Sequence, residues 1–435
     1  MSSFSISEIS VSNQNQTNET TESSKSVTNM VFTRYLYIKR EVEISLLFAI
    51  LNKKDDAALF WAFELYYSGF AQELLYLVWR IYFEFFATLN PNLEAYLLKK
   101  HKEFDNCIVV GSTNYPYPFS SKGYKLKPKN DDNTDNNNYE TKETIIASII
   151  HNLLSRKFNT DVFILREICC NIEIEKPYPA IKECFASHNY ELISYYIIET
   201  GDDNNDSKNN ENIMNAALEY FASSDNAVKT KFFKGWKNTS DELLKYNINP
   251  KLIMLSRVMH YYSLLQKDLK MGKNLYITVD SDDLLLYETI YADVVKAAYR
   301  VLPVVTTFAH NVDYLKLFKV DELRPKNIMD CYYYNWLYYA SFSPVWEERI
   351  QMFEGIIDHK NKKVIFEDDE ENDVFYDNYG YYPDEQTKEI QQKNIPNIPE
   401  YSSFTWTKFY EKYKNNGLYH PGEDELDALN GAEPP

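Results

Sequence analysis

Glycine is scarce in this chain, with 11 in 435 residues. Loops that wrap phosphates need backbone free of side chains at fixed positions, and the sequence holds no GxxxxGK(S/T) or GxGxxG run. It also lacks the GxSxG and HExxH signatures of hydrolases. Nucleotide-dependent and hydrolytic enzymes of familiar class are therefore disfavoured. Cysteine is scarce too: Cys107, Cys169, Cys170, Cys184 and Cys331 include no Cys-x-x-Cys pair. An odd number does not complete a disulfide framework, so a reducing compartment is expected.

Long apolar runs are also missing. Leu74–Leu89 comes nearest but carries Arg80 and Glu84, so no segment reads as membrane-spanning. The opening MSSFSISEISVSNQNQTNETTESSKS lacks the basic start and apolar stretch of a secretory signal, and residues 1–30 read as a disordered tail. Positive charge is in deficit: 46 Lys and Arg against 64 Asp and Glu give a net charge of −18. That field repels nucleic-acid phosphates and anionic membranes. The most basic stretch, Lys122–Lys129, runs directly into Asp131 and Asp132. The expectation is a soluble, cytoplasmic protein without membrane contact, which meets nucleic acid only through a partner.

Metal ligands do not converge in the sequence. The seven histidines are scattered, and His310 with Asp313 is an i, i+3 pair of the kind that chance supplies. Asp280, Asp282 and Asp283 lack the glycine and closing glutamate of a calcium loop and read as helix-capping acids. Cys169, Cys170 and Cys184 have no neighbouring cation or helix start to lower a thiol pKa, so they read as small buried groups. No catalytic, cofactor-binding or metal-binding residue is assigned, and no cofactor is expected.

Aromatic side chains are abundant, at 16% of the chain. Twelve lie between Ala58 and Asn90, on two helix-length runs separated by Ser68-Gly69. At roughly 100° per residue, Gln72, Glu73, Arg80 and Glu84 fall within an arc of about 120°, leaving the rest of that helix apolar. Such a helix is buried by neighbours on several sides.

The spacing predicts a block of helices over 31–110. Thr33–Asn52 has helical periodicity through Leu36, Val42, Leu46, Leu47 and Ile50, and Asp55 or Asp56 then caps a second helix that ends at Ser68-Gly69. A third runs from about Phe70 to Asn90-Pro91, and a fourth covers Asn92–Phe104. Short connections make these an antiparallel stack of helix pairs, as in helical-repeat proteins, although no fixed repeat period is visible.

Residues 111–141, with three prolines and the run DDNTDNNN, read as a flexible linker. A second helical block covers 142–353, with a polar gap at 201–210. Its segments are Glu143–Lys157, Val162–Cys170, Ala180–Glu199, several helices across Glu211–Lys270, one from about Asp283 to Arg300, and Asn327–Tyr339. Thr239 with Glu242 fits a capping box, while Asn249-Pro250 and Ser343-Pro344 each place an N-cap before a first-position proline. The run Tyr332–Tyr339 holds no cation to accompany base stacking and reads as core.

Over 354–435 the character changes. Ile356-Ile357 and Val364-Ile365-Phe366 flank Asp358–Lys363 as a short β-hairpin. An acidic and aromatic segment follows, then a short aromatic helix at Thr405–Lys414 and a mobile acidic tail, GEDELDALNGAEPP. The candidate partner-binding residues are Glu367, Asp368, Asp369, Glu370, Glu371 and Asp373, with Phe375, Tyr376, Tyr379, Tyr381 and Tyr382. A mobile acidic segment with interleaved aromatics can dock on a basic, apolar groove of a protein partner.

The blocks EVEISLLFAILNKKDDAALFWAFELYYSGF and VWRIYFEFFATLNP, with YYASFSPVWEERI and VIFEDDEENDVFYDNYGYYPDEQ, resemble an uncharacterised protein family of nucleocytoplasmic large DNA viruses, the giant viruses that infect amoebae and their relatives. They cover a quarter to a third of the chain. The resemblance implies a viral protein made in infected cytoplasm and implies no activity, so no functional residue is carried over. The expected protein is mainly α, with stacked helix pairs, a small hairpin near the C-terminus and disordered tails. Its expected role is a non-enzymatic scaffold for protein partners in transcription, virion assembly or translation initiation. The alternative is an enzyme of unfamiliar class with a carboxylate- and tyrosine-lined cleft between the helical blocks.

Overall fold

The computed structural model describes residues 30–107, 141–172, 179–198, 248–265, 275–280, 327–394 and 405–431, with shorter pieces between 212 and 318. Within them the chain is mainly α-helical, with a two-stranded antiparallel hairpin. The helices of the N-terminal half are α1 (Lys39–Leu51), α2 (Asp55–Tyr67), α3 (Ala71–Ile81), α4 (Leu93–Asn106), α5 (Lys142–Leu154), α6 (Asp161–Asn171), α7 (Ile181–Ser187) and α8 (Tyr190–Ile198). Then come α9 (Pro250–Leu265), α10 (Ile328–Tyr333), α11 (Trp336–Ala340), α12 (Pro344–Met352), β1 (Ile356–Asp358) and β2 (Lys363–Ile365). The last helices are α13 (Asp369–Tyr379), α14 (Lys388–Asn394), α15 (Thr405–Tyr413) and α16 (Glu423–Gly431). Among the described residues no helix is long and apolar enough to cross a membrane. The tail, the Gly111–Tyr139 stretch, the 201–210 gap, Thr239, the His310 and Asp313 pair and most of the helix expected after Asp283 lie outside the described residues.

Contacts divide the chain into two units, each drawing helices from both blocks expected in the sequence. The first comprises Met1–Leu74, Phe104–Ile150 and Thr278–Ser402; the second comprises Leu75–Glu103, His151–Ile277 and Ser403–Pro435.

In the first unit α1 and α2 pack side by side across a three-residue connection. Lys54 occupies the N-cap of α2 without a side-chain cap bond, so Asp55 and Asp56 sit in the first turn, where their charge favours the positive end of the helix dipole. Gly69 ends α2 with φ 92, a conformation in which a side chain would clash with backbone. Gly69→Ala is therefore expected to lower stability by about 1–2 kcal/mol, read as a shifted denaturation midpoint, with Gly69→Asn costing less.

The helix expected from Thr33 begins only at Lys39. Residues 32–38 form a tight loop closed by a Phe32–Ile38 bridge and by the Thr33 N–H donating to the Tyr37 carbonyl at 2.8 Å. Leu36 takes φ 63 at its tip yet is fully buried. Apolar spacing alone could not separate this loop from a helix turn, because both bury Leu36. A carboxylate receives the loop: Glu64 on α2 accepts from Arg34 Nε at 2.8 Å and from the Tyr35 N–H at 3.0 Å, while Ser68 Oγ accepts from the Arg34 N–H at 2.8 Å. From the other side, Tyr332 on α10 donates to the Leu36 carbonyl and the Trp346 indole on α12 donates to the Thr33 carbonyl.

The second unit is built around the C-terminal half of α3 and the turn that succeeds it. There the expected α-helix widens into a π-turn over Tyr82–Phe86. The extra residue per turn rotates the side chains beyond Ile81, which is why the polar arc holds at exposed Gln72 but fails at Glu84. Glu84 is buried and bridges Arg80 at 3.1 Å and Arg166 of α6 at 2.9 Å. Trp79, only 2% exposed, stacks on Phe83 at 5.8 Å, and its indole N–H donates to His101 Nδ1 at 2.9 Å. Asn90 closes the turn by donating to the Phe86 and Lys157 carbonyls.

Helix α6 packs against the π-turn, α8, α9 and α16, and α9 packs against α8 and the π-turn. Asn249 Oδ1 accepts from the Lys251 N–H at 2.9 Å, so the cap before Pro250 forms as expected. On α9, Arg257 meets Glu94 at 2.6 Å, and a His260 ring N–H donates to the Thr88 carbonyl at 2.6 Å. Burial lowers the His260 pKa to about 4, so this imidazole stays neutral at physiological pH.

The helical segment Ala180–Glu199 forms two helices, α7 and α8, separated where His188 turns left-handed at φ 56. One expectation is corrected here. The tail expected to be mobile is helix α16, seated through buried Leu426 and Leu429. Helix α15 forms where an aromatic helix was expected, with Trp406 and Phe409 packed on Phe163 of α6.

Candidate functional site

The segment singled out by its acids and aromatics lies in the first unit and is folded into α13, not a mobile linker. Asp368 is the N-cap, its Oδ1 accepting from the Glu370 N–H at 2.7 Å and the Glu371 N–H at 3.1 Å. Asp369, Glu370 and Glu371 occupy the first turn, where negative charge offsets the helix dipole. The carboxylates that looked like a disordered run are thus the start signal of a helix.

The aromatics divide by burial. Phe375 is 0% exposed between Phe366 at 4.8 Å and Phe353 at 5.6 Å. Tyr379 is buried under the Arg349 guanidinium, whose carbon lies 4.9 Å from the ring centroid, and against Trp346. Tyr381, 2% exposed, packs on Trp336 and Tyr332. These three anchor the helix and are not available to a partner. Tyr376 is half-buried and Tyr382 is 38% exposed, their rings 6.2 Å apart. Gly380 makes the bend between them: a Cβ there would meet the Tyr376 carbonyl oxygen at 2.5 Å and the Tyr382 ring at 2.6 Å.

Glu367, Asp368, Asp369, Glu370 and Asp373 remain exposed, and Glu371 is half-buried. Desolvation pushes the Tyr382 phenol pKa up, and the negative charges of Asp377, Glu385 and Asp373 raise it further. The Tyr382 ring is thus exposed, and its phenol stays protonated under the influence of three carboxylates. Between Lys363 and Lys388 the chain has nine Asp and Glu and no Lys or Arg.

The same region exposes apolar surface. Nine large apolar side chains are exposed among the described residues, and six of them, Tyr334, Met352, Ile356, Ile365, Val374 and Tyr382, fall between positions 334 and 382. Ile356 pairs with Ile365 across the hairpin, so the two project from one face. The hairpin forms where the sequence placed it, with Asp358 and Lys363 paired in the strands and not in the turn. Asp358 Oδ1 sets its turn by accepting from the Lys360 N–H at 2.9 Å and the Asn361 N–H at 3.1 Å. Of the aromatic run at 332–339, Tyr332, Trp336, Tyr338 and Tyr339 are buried, whereas Tyr334 is exposed.

Other candidate chemistry is internal. Cys169 and Cys184 are buried, and burial pushes the Cys184 thiol pKa up, away from a reactive thiolate. Asp280 accepts from the Asp283 N–H at 3.0 Å, a local turn. Among the described residues no group of three or more His, Cys, Asp or Glu side chains is arranged to hold a metal ion. A grouping the sequence did not reveal occurs in the second unit, where the Tyr419 hydroxyl lies 3.0 Å from Glu191 Oε1 and 3.0 Å from both carboxylate oxygens of Glu425. No local pattern could have signalled it, because Glu191 and Tyr419 are 228 residues apart. Compared with models of protein families, with curated proteins and with solved structures, the chain matches none.

Proposed function

We propose that this protein is a helical scaffold that binds a basic protein segment bearing apolar anchors, on the surface formed by α13 and the turn through Tyr382. The observation that supports it is the exposed Tyr382 ring just past α13, whose phenol feels the charges of Asp377, Glu385 and Asp373, beside a helix fixed to the core by Phe375 and Tyr379. A Lys or Arg side chain gains ring and carboxylate contacts at once there. Val374, on the same helix, offers apolar contact beside them. Folding α13 in advance also spares a partner the ordering cost that a disordered acidic segment would impose. On the sequence resemblance to a protein family of large DNA viruses, we place this role in infected cytoplasm, with partners in transcription, virion assembly or translation.

The proposal is tested with a labelled amphipathic peptide of alternating Lys and Leu pairs, titrated by fluorescence anisotropy at two salt concentrations. The triple variant Asp373→Asn, Asp377→Asn, Glu385→Gln is expected to bind about tenfold more weakly, the sum of three rim charges at a few tenths to 1 kcal/mol each. Tyr382→Ala is expected to weaken binding by a similar factor, and added salt to erode the wild-type advantage. Equal affinities for wild type and both variants would overturn the proposal.

A further inference from the structure

We propose that Glu191, Tyr419 and Glu425 form a proton-dependent latch that holds the chain's 417–431 segment on α6 and α8 and releases it as pH rises. The geometry carries a proton count. Tyr419 has one hydroxyl hydrogen and faces three carboxylate oxygens at 3.0 Å, while the Gly422 N–H already donates to Glu425 Oε2 at 2.7 Å. With both glutamates ionised, the phenol satisfies one carboxylate and turns lone pairs toward the other. With one glutamate protonated, its O–H supplies the missing donor and the chain of hydrogen bonds closes.

The groups that bear on Glu191 are Glu425 and Tyr419. Helix α7, packed on α8, carries Lys182, which pairs with Glu219 at 2.5 Å, together with Glu183 and Cys184. From α6, Asp161 binds the Leu418 and Tyr419 N–H groups at 2.8–3.0 Å, and the Cys169 thiol faces the Glu191 backbone carbonyl at 3.8 Å. Tyr190 of α8 stands edge-on to Tyr419 and to Tyr262 of α9. His420, beside Tyr419, favours the Asp161 anion.

Burial first, then the Glu425 charge, raises the Glu191 pKa above the usual glutamate range. A carboxyl whose folded-state pKa lies above its unfolded value contributes stability that is full below the unfolded pKa and lost as pH climbs through the folded one. Asp161 is also raised, by burial, and gives a slope of the same sign, so the test must separate the two.

Hydrogen exchange of the full chain separates them. Protection factors, corrected for intrinsic exchange, are measured for 418–431 and for α1 as internal reference from about pH 4 to 8. Wild-type protection of 418–431 is expected to fall severalfold relative to α1 as pH rises. Glu191→Gln, which keeps a donor without a charge, is expected to hold protection higher and to retain only the shallower fall that Asp161 contributes, and Tyr419→Phe to leave protection low throughout. Flat wild-type protection, or a Glu191→Gln profile that falls in parallel with wild type, overturns the latch. Carboxyl carbon NMR titration of the wild-type chain gives a second reading: one of the pair must titrate above the ordinary glutamate range, and two ordinary titrations also overturn it.

Discussion

Glu64→Ala is expected to destabilise the first unit by about 3–5 kcal/mol, the cost of breaking a buried ion pair by removing one partner. Glu64 is fully buried and Arg34 is 5% exposed, so the guanidinium left behind cannot recover its hydration without opening the loop. The carboxylate also accepts from the Tyr35 N–H, so the substitution removes the acceptor of two donors at once in a loop that already holds Leu36 at positive φ. Urea denaturation followed by tryptophan fluorescence gives the value. The companion variant, Arg34→Met with Glu64→Leu, replaces the pair by apolar groups of similar volume and is expected to recover much of the loss. A loss below about 1 kcal/mol for Glu64→Ala, the size of an exposed pair, would show that the loop is not held through this carboxylate.

Trp79→Ala is expected to cost the second unit about 3–5 kcal/mol, from lost transfer energy plus the cavity left beside Phe83 and Tyr82. The indole also donates to His101, so Trp79→Phe isolates that hydrogen bond at about 1–3 kcal/mol while keeping most of the ring volume. An unchanged denaturation midpoint for Trp79→Ala would contradict the packing of the α3 turn as described. Two denaturation probes are needed, because Trp79 and Glu64 fall in different units and a single midpoint does not describe both.

Local signals in the sequence announced most helix ends. Gly69, Asn90-Pro91, Asn249-Pro250 and Ser343-Pro344 punctuate the chain where helices stop or start, because positive φ, a missing N–H or a cap is fixed by one or two residues. The hairpin was legible for the same reason. Features set by distant partners were not. Glu84 looked like part of a wet arc until Arg166, 82 residues away, neutralised it, and the π-turn rotated the wheel on which that arc was drawn.

The candidate surface was half legible. Its acids were read correctly as a charged segment, but Asp368 three residues before Glu371, followed by Phe375 and Tyr379 at helical spacing, is a capped amphipathic helix and could have been recognised as one. That oversight left Phe375, Tyr379 and Tyr381 grouped with the binding residues when they are the helix's anchors. Leu426 and Leu429 gave α16 an equally short apolar stripe, masked by the acids around it.

On the proposed function, the turn after α13 presents Tyr382 to a cationic partner. Site-specific photocrosslinking tests it most directly. Tyr382→p-benzoylphenylalanine and, as a control at another exposed tyrosine, Tyr334→p-benzoylphenylalanine are expressed in the cells that make the protein, irradiated, and mapped by mass spectrometry. The account predicts adducts at 382, not at 334, with a partner segment rich in Lys or Arg interleaved with apolar residues, and their loss when Asp373, Asp377 and Glu385 are neutralised. Adducts of equal yield at both positions, or a partner segment at 382 without cations, would contradict it.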